Sequence, residues 1–107
     1  MQPGDRVLFF TRPDCPACDA LLGKLLKRID TVAAIDIYIV GVQSGDDQAV
    51  RDWAAGHAIK PEWVRSRRVT LNHEAGVLER LTQGKGKIPY MLRRQGMDLS
   101  VLRASDL

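Results

Sequence analysis

The chain of 107 residues has the length of one ordinary domain, and its hydrophobic content of 45% is typical of a fold with one core. The net charge is +3, and the basic residues are scattered, with their densest clusters at 65–68 and 85–87, so no nucleic-acid partner is expected. The most apolar stretches, 7–10 and 35–42, are far too short to cross a bilayer, so no membrane insertion is expected.

The first predicted elements are a strand, a helix and a second strand. Residues 6–11 (RVLFFT) are β-branched and aromatic, which predicts a buried strand. From Pro16 the spacing of apolar residues becomes helical, and proline suits the first turn of a helix. The apolar helix face comprises Ala20, Leu21, Leu22, Leu25, Leu26 and Ile29. Residues 32–42 (VAAIDIYIVGV) predict a second strand, which ends at Gln43-Ser44-Gly45.

A second helix is predicted after this break. Asp46 or Asp47 is expected to cap it, and it is expected to run to about Ala55 and close at Gly56. The order strand, helix, strand, helix is typical of a parallel α/β unit.

The next segment has weaker signals. Pro61 is expected to begin a short helix, and residues 69–71 are expected to be briefly extended. Asn72 is then a predicted N-cap for a helix through Leu81, ended by Gly84.

The end of the chain predicts a hairpin. Residues 88–94 and 97–103 are interpreted as two antiparallel strands joined by a turn at Gln95-Gly96. The predicted fold class is therefore α/β, with a central mixed sheet of about four strands flanked by helices.

The chain has two cysteines, Cys15 and Cys18, three positions apart at the start of the first helix, and this spacing is compatible with three uses. A zinc site needs four ligands, but His57 and His73 lie sixteen residues apart, outside zinc-finger spacing. Both histidines are expected on the surface, and no metal is expected. A disulfide across so small a loop removes little entropy from the unfolded chain, so it is a weak structural crosslink.

The third use is redox chemistry. With Cys15 at the N-cap, the unsatisfied N–H groups and the positive end of the helix dipole favour the thiolate, which makes Cys15 the predicted nucleophile. Cys18, one turn further in, is placed to resolve a mixed disulfide. Asp14 would oppose thiolate formation if its carboxylate lay close.

The pattern of the whole chain resembles the thioredoxin superfamily. A strand, Cys-Pro-Ala-Cys at a helix start, a further strand and helix, and Ile88-Pro89 before a terminal hairpin carry the resemblance over most of the chain. Residues 11–18 (TRPDCPAC) are similar to the glutaredoxin motif. The resemblance implies that Pro89 is cis and faces the cysteines, while the Ile88 backbone contacts an incoming peptide. Pro16, Ala17, Ile88 and Pro89 are the candidate substrate-binding residues.

The chain is longer than compact members of the superfamily between the cysteines and the proline. We interpret 57–84 as a helical insertion within a single thioredoxin-like domain, 1–107. Trp53 and Trp63 are expected to pack in the core or between elements, with contact to substrate as the alternative.

The resulting prediction is a thiol-disulfide oxidoreductase that acts on protein substrates through Cys15 and Cys18, with no cofactor besides their disulfide. One alternative is a non-catalytic thioredoxin-fold binding module of a secretion or conjugation system. The other is a glutathione-dependent glutaredoxin, but Gln95-Gly96 and Asp98 are all that correspond to its glutathione-binding turn and acidic pair.

The expected partners are protein thiols or disulfides and a redox partner protein, and a monomer is expected. The chain also resembles thioredoxin-like proteins of bacterial integrating conjugative elements, which are usually exported, and this implies the periplasm. The N-terminus shows no secretory signal, so the cytoplasm is the alternative compartment.

Overall fold

A five-stranded mixed sheet forms the centre of the computed structural model, which describes residues 1–43 and 45–107. The strands are β1 (Arg6–Thr11), β2 (Ala34–Ile39), β3 (Val69–His73), β4 (Tyr90–Gln95) and β5 (Asp98–Leu102). Their order is β3-β2-β1-β4-β5, in which β1, β2 and β3 are parallel while β4 and β5 are antiparallel to their neighbours. The predicted α/β class and mixed sheet are confirmed.

In the described part of the chain, four α-helices accompany the sheet: α1 (Pro16–Leu26), α2 (Asp47–Ala55), α3 (Pro61–Arg65) and α4 (Val77–Thr82). Short 3₁₀ turns lie at Ile29–Thr31 and Ala104–Asp106. The predicted start of α2 is confirmed, because the Asp46 carboxylate accepts a hydrogen bond from the Ala49 N–H at 3.1 Å. Ser44, in the break predicted before α2, lies outside the described residues.

The prediction for residues 69–81 was partly wrong. The segment predicted to be only briefly extended is a full strand, β3, so the sheet has five strands where about four were predicted. Asn72 does not cap a helix, because it lies in β3 opposite Tyr38 and its amide donates to the Ile37 carbonyl at 3.1 Å. The helix begins only at Val77, and the Glu74 carboxylate accepts from the N–H groups of Gly76 and Leu78 at 3.0 Å each. Pairing with β2 thus extends the predicted short segment to a full edge strand.

The segment 57–84, interpreted from the sequence as a helical insertion, holds α3, β3 and α4. Its strand β3 is an integral edge of the sheet, hydrogen-bonded to β2.

The two faces of the sheet are packed differently. One face carries the main core, formed with α1 and α2 by residues that include Val7, Phe9, Cys18, Leu22, Leu25, Ile35, Ile37, Val50 and Trp53. The other face carries a small cluster of Leu8, Phe10, Leu78 and Leu92, with the Tyr38 ring stacked on Phe10 at 4.9 Å. Helix α4 covers only this cluster, because the rest of that face is polar. Within residues 1–43 and 45–107, no helix has the length and apolar character needed to span a membrane.

Candidate active site

The two cysteines lie where β1 gives way to α1. Cys15 is the N-cap residue, with extended backbone, and Pro16 occupies the first turn, where its missing N–H leaves no hydrogen bond unmade. The Cys15 sulfur accepts a hydrogen bond from the Cys18 N–H at 3.1 Å. A sulfur atom therefore takes the place that a serine or aspartate oxygen usually takes at a helix start.

Cys15 and Cys18 are joined by a disulfide, with their Cα atoms 5.2 Å apart. Cys18 is fully enclosed in the main core at 0% exposure, whereas Cys15 is 4% exposed. Pro16 and Ala17, between them, are both exposed. The disulfide is thus approached from solvent past these two residues, on the side of Cys15.

Pro89 lies at the same end of the sheet. The Ile88–Pro89 peptide bond is cis, and the next residue, Tyr90, pairs with Phe10 near the end of β1. The loop that carries Cys15 begins at that end of β1. The fold therefore brings Cys15 and Pro89, 74 positions apart in the sequence, to the same end of the sheet. The side chain of Ile88 packs against both core clusters.

A groove of about 350 Å³ adjoins Pro89 and was not anticipated from the sequence. Leu21, one turn beyond Cys18 in α1, forms part of its wall, and Val101 and Ala104 form another part. Leu21 was expected only as a core residue, and it is half-buried. The apolar side chain of Val101 is exposed. It indicates a groove only once the fold shows that β5 and Leu21 of α1 line the same depression.

His57 is partly exposed, which agrees with the expected surface position, but it makes contacts that the sequence does not predict. Its ring is half-buried and stacks on the indole of Trp53 with 4.3 Å between centroids. Nδ1 lies 2.6 Å from the Trp53 carbonyl oxygen and Nε2 lies 3.0 Å from Oδ1 of Asp19. Because both partners are acceptors, both contacts are hydrogen bonds only when the imidazole carries two protons. His57 therefore ties the end of α2 to the first turn of α1.

His73 is also half-buried, with Nε2 3.4 Å from Oδ1 of Asp47. Trp53 is buried in the main core and Trp63 packs against it, which is the packing role expected for both.

Asp14 is exposed, with a left-handed backbone (φ 56°). In the described part of the chain, no three His, Cys, Asp or Glu side chains converge in a way that would hold a metal ion.

Comparison with known proteins adds a structural likeness. Neither a protein-family model nor a curated protein matches the chain in sequence. Among solved structures, StoA from Bacillus subtilis is similar with a TM-score of 0.57 and 14% identity, over 98% of this chain and 80% of that one. The dsbF protein of MTB is similar with a TM-score of 0.52 and 18% identity, over 95% of this chain and 71% of that one.

A third similar structure is a secreted Mycobacterium tuberculosis disulfide oxidoreductase homologous to E. coli DsbE, with a TM-score of 0.55 and 15% identity over 95% of this chain and 72% of that one. The chain has a thioredoxin-like fold. Within this thioredoxin-like fold, Cys15, Cys18, Pro16 and Ala17 share one helix start, and Pro89 lies at the same end of the sheet.

Proposed function

We propose that the protein is a thiol-disulfide oxidoreductase that exchanges disulfides with protein substrates through Cys15 and Cys18. The observation that carries this proposal is the hydrogen bond from the Cys18 N–H to the Cys15 sulfur at the N-terminus of α1. That position stabilises a negative charge on the sulfur, both through the N–H groups and through the helix dipole.

The exchange proceeds in two displacements. In the reduced protein, the Cys15 thiolate attacks one sulfur of a substrate disulfide, forms a mixed disulfide and releases the other substrate sulfur as a thiolate. The Cys18 sulfur, after losing its proton, attacks the Cys15 sulfur, so that the second substrate sulfur leaves and the Cys15–Cys18 bond closes. Two electrons pass to the substrate, whose sulfurs take up two protons. The same steps in reverse oxidise a substrate dithiol.

The division of roles follows from burial. Cys15 is the more exposed of the two cysteines, at 4% against 0%, so an external sulfur reaches it first, whereas the enclosed Cys18 attacks only the Cys15 sulfur of a mixed disulfide. The exposed Pro16 and Ala17 border the approach, and Ile88 precedes the first paired residue of β4. We assign Pro16, Ala17, Ile88 and Pro89 to substrate contact, and the groove beside Leu21 to an apolar substrate side chain.

The partners we propose are protein thiols or disulfides and a second protein that resets the redox state. We place the protein outside the cytoplasm, in a bacterial periplasm, and the secreted disulfide oxidoreductase among its structural neighbours supports that compartment. A link to conjugation components stays a prediction. The direction of electron transfer depends on the relative stability of the dithiol and disulfide forms. Pro16 and Ala17 offer no side-chain charge or hydrogen-bond donor that would stabilise the thiolate of the dithiol form.

Reduction of insulin by a thiol donor tests the proposal. Wild type is expected to accelerate precipitation of the insulin B chain, and Cys15→Ser is expected to have no activity above the uncatalysed rate. Cys18→Ser is the matched variant, since it keeps the attacking sulfur and is expected to accumulate a mixed disulfide that mass spectrometry detects. If wild type is no faster than Cys15→Ser, the chain is a binding module.

Two further measurements separate the remaining alternatives. Turnover of a glutathione mixed disulfide that survives Cys18→Ser would assign the protein to the glutaredoxins, and its absence leaves the dithiol route. The redox potential of the Cys15–Cys18 couple, measured by equilibration with glutathione buffers, decides whether the protein donates or accepts electrons in a given compartment.

A further inference from the structure

The part of the α4 side of the sheet that α4 leaves uncovered forms a second, polar concavity of about 650 Å³. We call it the arginine concavity, because Arg6, Arg67 and Arg94 line it, together with Tyr38 and Asp36. It extends from Arg6, at the start of β1, to Tyr38, which pairs with Phe10 near the end of that strand. Helix α1 packs on the opposite face, so the arginine concavity is separate from the disulfide.

Two of its arginines are direct cross-strand neighbours. Arg6 in β1 pairs with Arg94 in β4, so both side chains leave the same face of the sheet. Like charges in this arrangement destabilise a sheet. The placement of Arg94 beside Arg6 therefore carries a local electrostatic cost, which indicates that Arg94 serves something other than stability.

One carboxylate compensates only part of this charge. Asp36 accepts from Nε of Arg6 at 2.9 Å and from Nη2 at 2.7 Å, and its Oδ1 also accepts from the Thr70 hydroxyl at 2.6 Å. Three arginines against one carboxylate leave the concavity with a charge of +2.

The other two guanidiniums are available to a ligand. Arg94 donates from Nε to the Gly96 carbonyl at 3.2 Å, which orients the side chain and leaves its terminal nitrogens free for a further partner. Arg67 is exposed and has a left-handed backbone (φ 62°), a conformation that costs energy for a residue with a side chain. Burial raises the pKa of Tyr38, so its phenol remains a neutral hydrogen-bond donor.

We propose that the arginine concavity binds a multivalent oxyanion, either a phosphate group or a pair of carboxylates. Guanidinium groups present parallel N–H donors that match both kinds of oxygen pair, and such charge-assisted hydrogen bonds are stronger than neutral ones. The ligand supplies the negative charge that the Arg6–Arg94 pair lacks.

The test is a ¹H–¹⁵N NMR titration of the oxidised full chain with inorganic phosphate, and separately with succinate, at constant ionic strength set by sodium chloride. Saturable shifts confined to the residues of the concavity are expected with at least one of the two anions, and their relative affinity identifies the oxyanion class. Arg67→Gln and Arg94→Gln are each expected to weaken binding at least about tenfold through lost charge-assisted hydrogen bonds.

Arg51→Gln is the matched control, since it removes the same charge from α2, which packs on the opposite face, and it is expected to change affinity by less than about twofold. Equal weakening in all three variants would mean a non-specific response to net charge and would overturn the proposal. So would the absence of saturable shifts with both anions. Arg94→Gln removes a like-charge contact, so its melting temperature without anion is expected to equal or exceed that of wild type, which excludes misfolding as the cause of lost binding.

Discussion

Reducing the Cys15–Cys18 bond is expected to cost the fold little. The bond closes a loop with a sequence separation of 3, for which the chain-entropy relation gives about 1.6–1.9 kcal/mol at 25 °C, against about 3 kcal/mol for a 15-residue loop. The reduced protein keeps part of the local stabilisation, because the Cys15 sulfur still accepts the Cys18 N–H as a helix cap. We therefore expect a net loss of about 1–2 kcal/mol and a fall in melting temperature of roughly 5–10 °C.

Circular dichroism measures both quantities, by urea and thermal denaturation of the oxidised and the dithiothreitol-reduced protein at pH 7. The double variant Cys15→Ala/Cys18→Ala is the control, since its stability must not respond to dithiothreitol. Unfolding of the reduced protein at 25 °C, or a loss above about 4 kcal/mol, would refute the reasoning and make the disulfide a structural crosslink. A small loss would agree with the proposed exchange, in which this bond opens and closes.

Three further predictions concern stability. Asp36→Asn is expected to cost about 2–3 kcal/mol because it weakens the charge-assisted hydrogen bonds to Arg6, and an unchanged urea midpoint would contradict this. Leu25→Ala, at a fully buried core position, is expected to cost about 2–5 kcal/mol in the same assay, and a loss below 1 kcal/mol would show a core that collapses around the site. Hydrogen bonds from the Gln2 N–H and the Arg93 side chain lower the pKa of Asp5. The stability that the Asp5 carboxylate contributes is therefore present above about pH 4 and is lost as the pH falls through the lowered pKa. The stability difference between wild type and Asp5→Asn should therefore be present at pH 6 and close below about pH 3, and a pH-independent difference would be inconsistent with that linkage.

Local signals were enough to predict several elements. The apolar run of Arg6–Thr11, the proline at the start of α1 and the aspartate cap of α2 act within a few residues, and each appears in the structure where it was expected. The terminal hairpin was predicted for the same reason, although Gln95 pairs with Asp98, so the turn lies at Gly96-Met97 and not at the predicted Gln95-Gly96. Helix starts and tight turns depend on near neighbours, so they are readable from the sequence.

Asn72 and His57 show where local reasoning fails. Asn72 has the side chain of a good helix cap, but the hydrogen bonds offered by β2 come from residues about 35 positions away, and strand pairing prevails. His57 looks like a loop residue after Gly56, yet Asp19, 38 positions away, binds its ring. Neither partner is visible before the fold is known.

The sequence by itself determined that a sulfur stands at a helix start, because Cys15, Pro16 and Cys18 lie within four residues and need only local helix geometry to interact. Only the tertiary structure decided what surrounds that sulfur and what lies at the other end of the sheet. Pro89 reaches the cysteine end, and Arg94 comes to lie beside Arg6, through the antiparallel pairing of β1 with β4. Such a register is set by the packing of a whole sheet face and not by the residues on either side of each position.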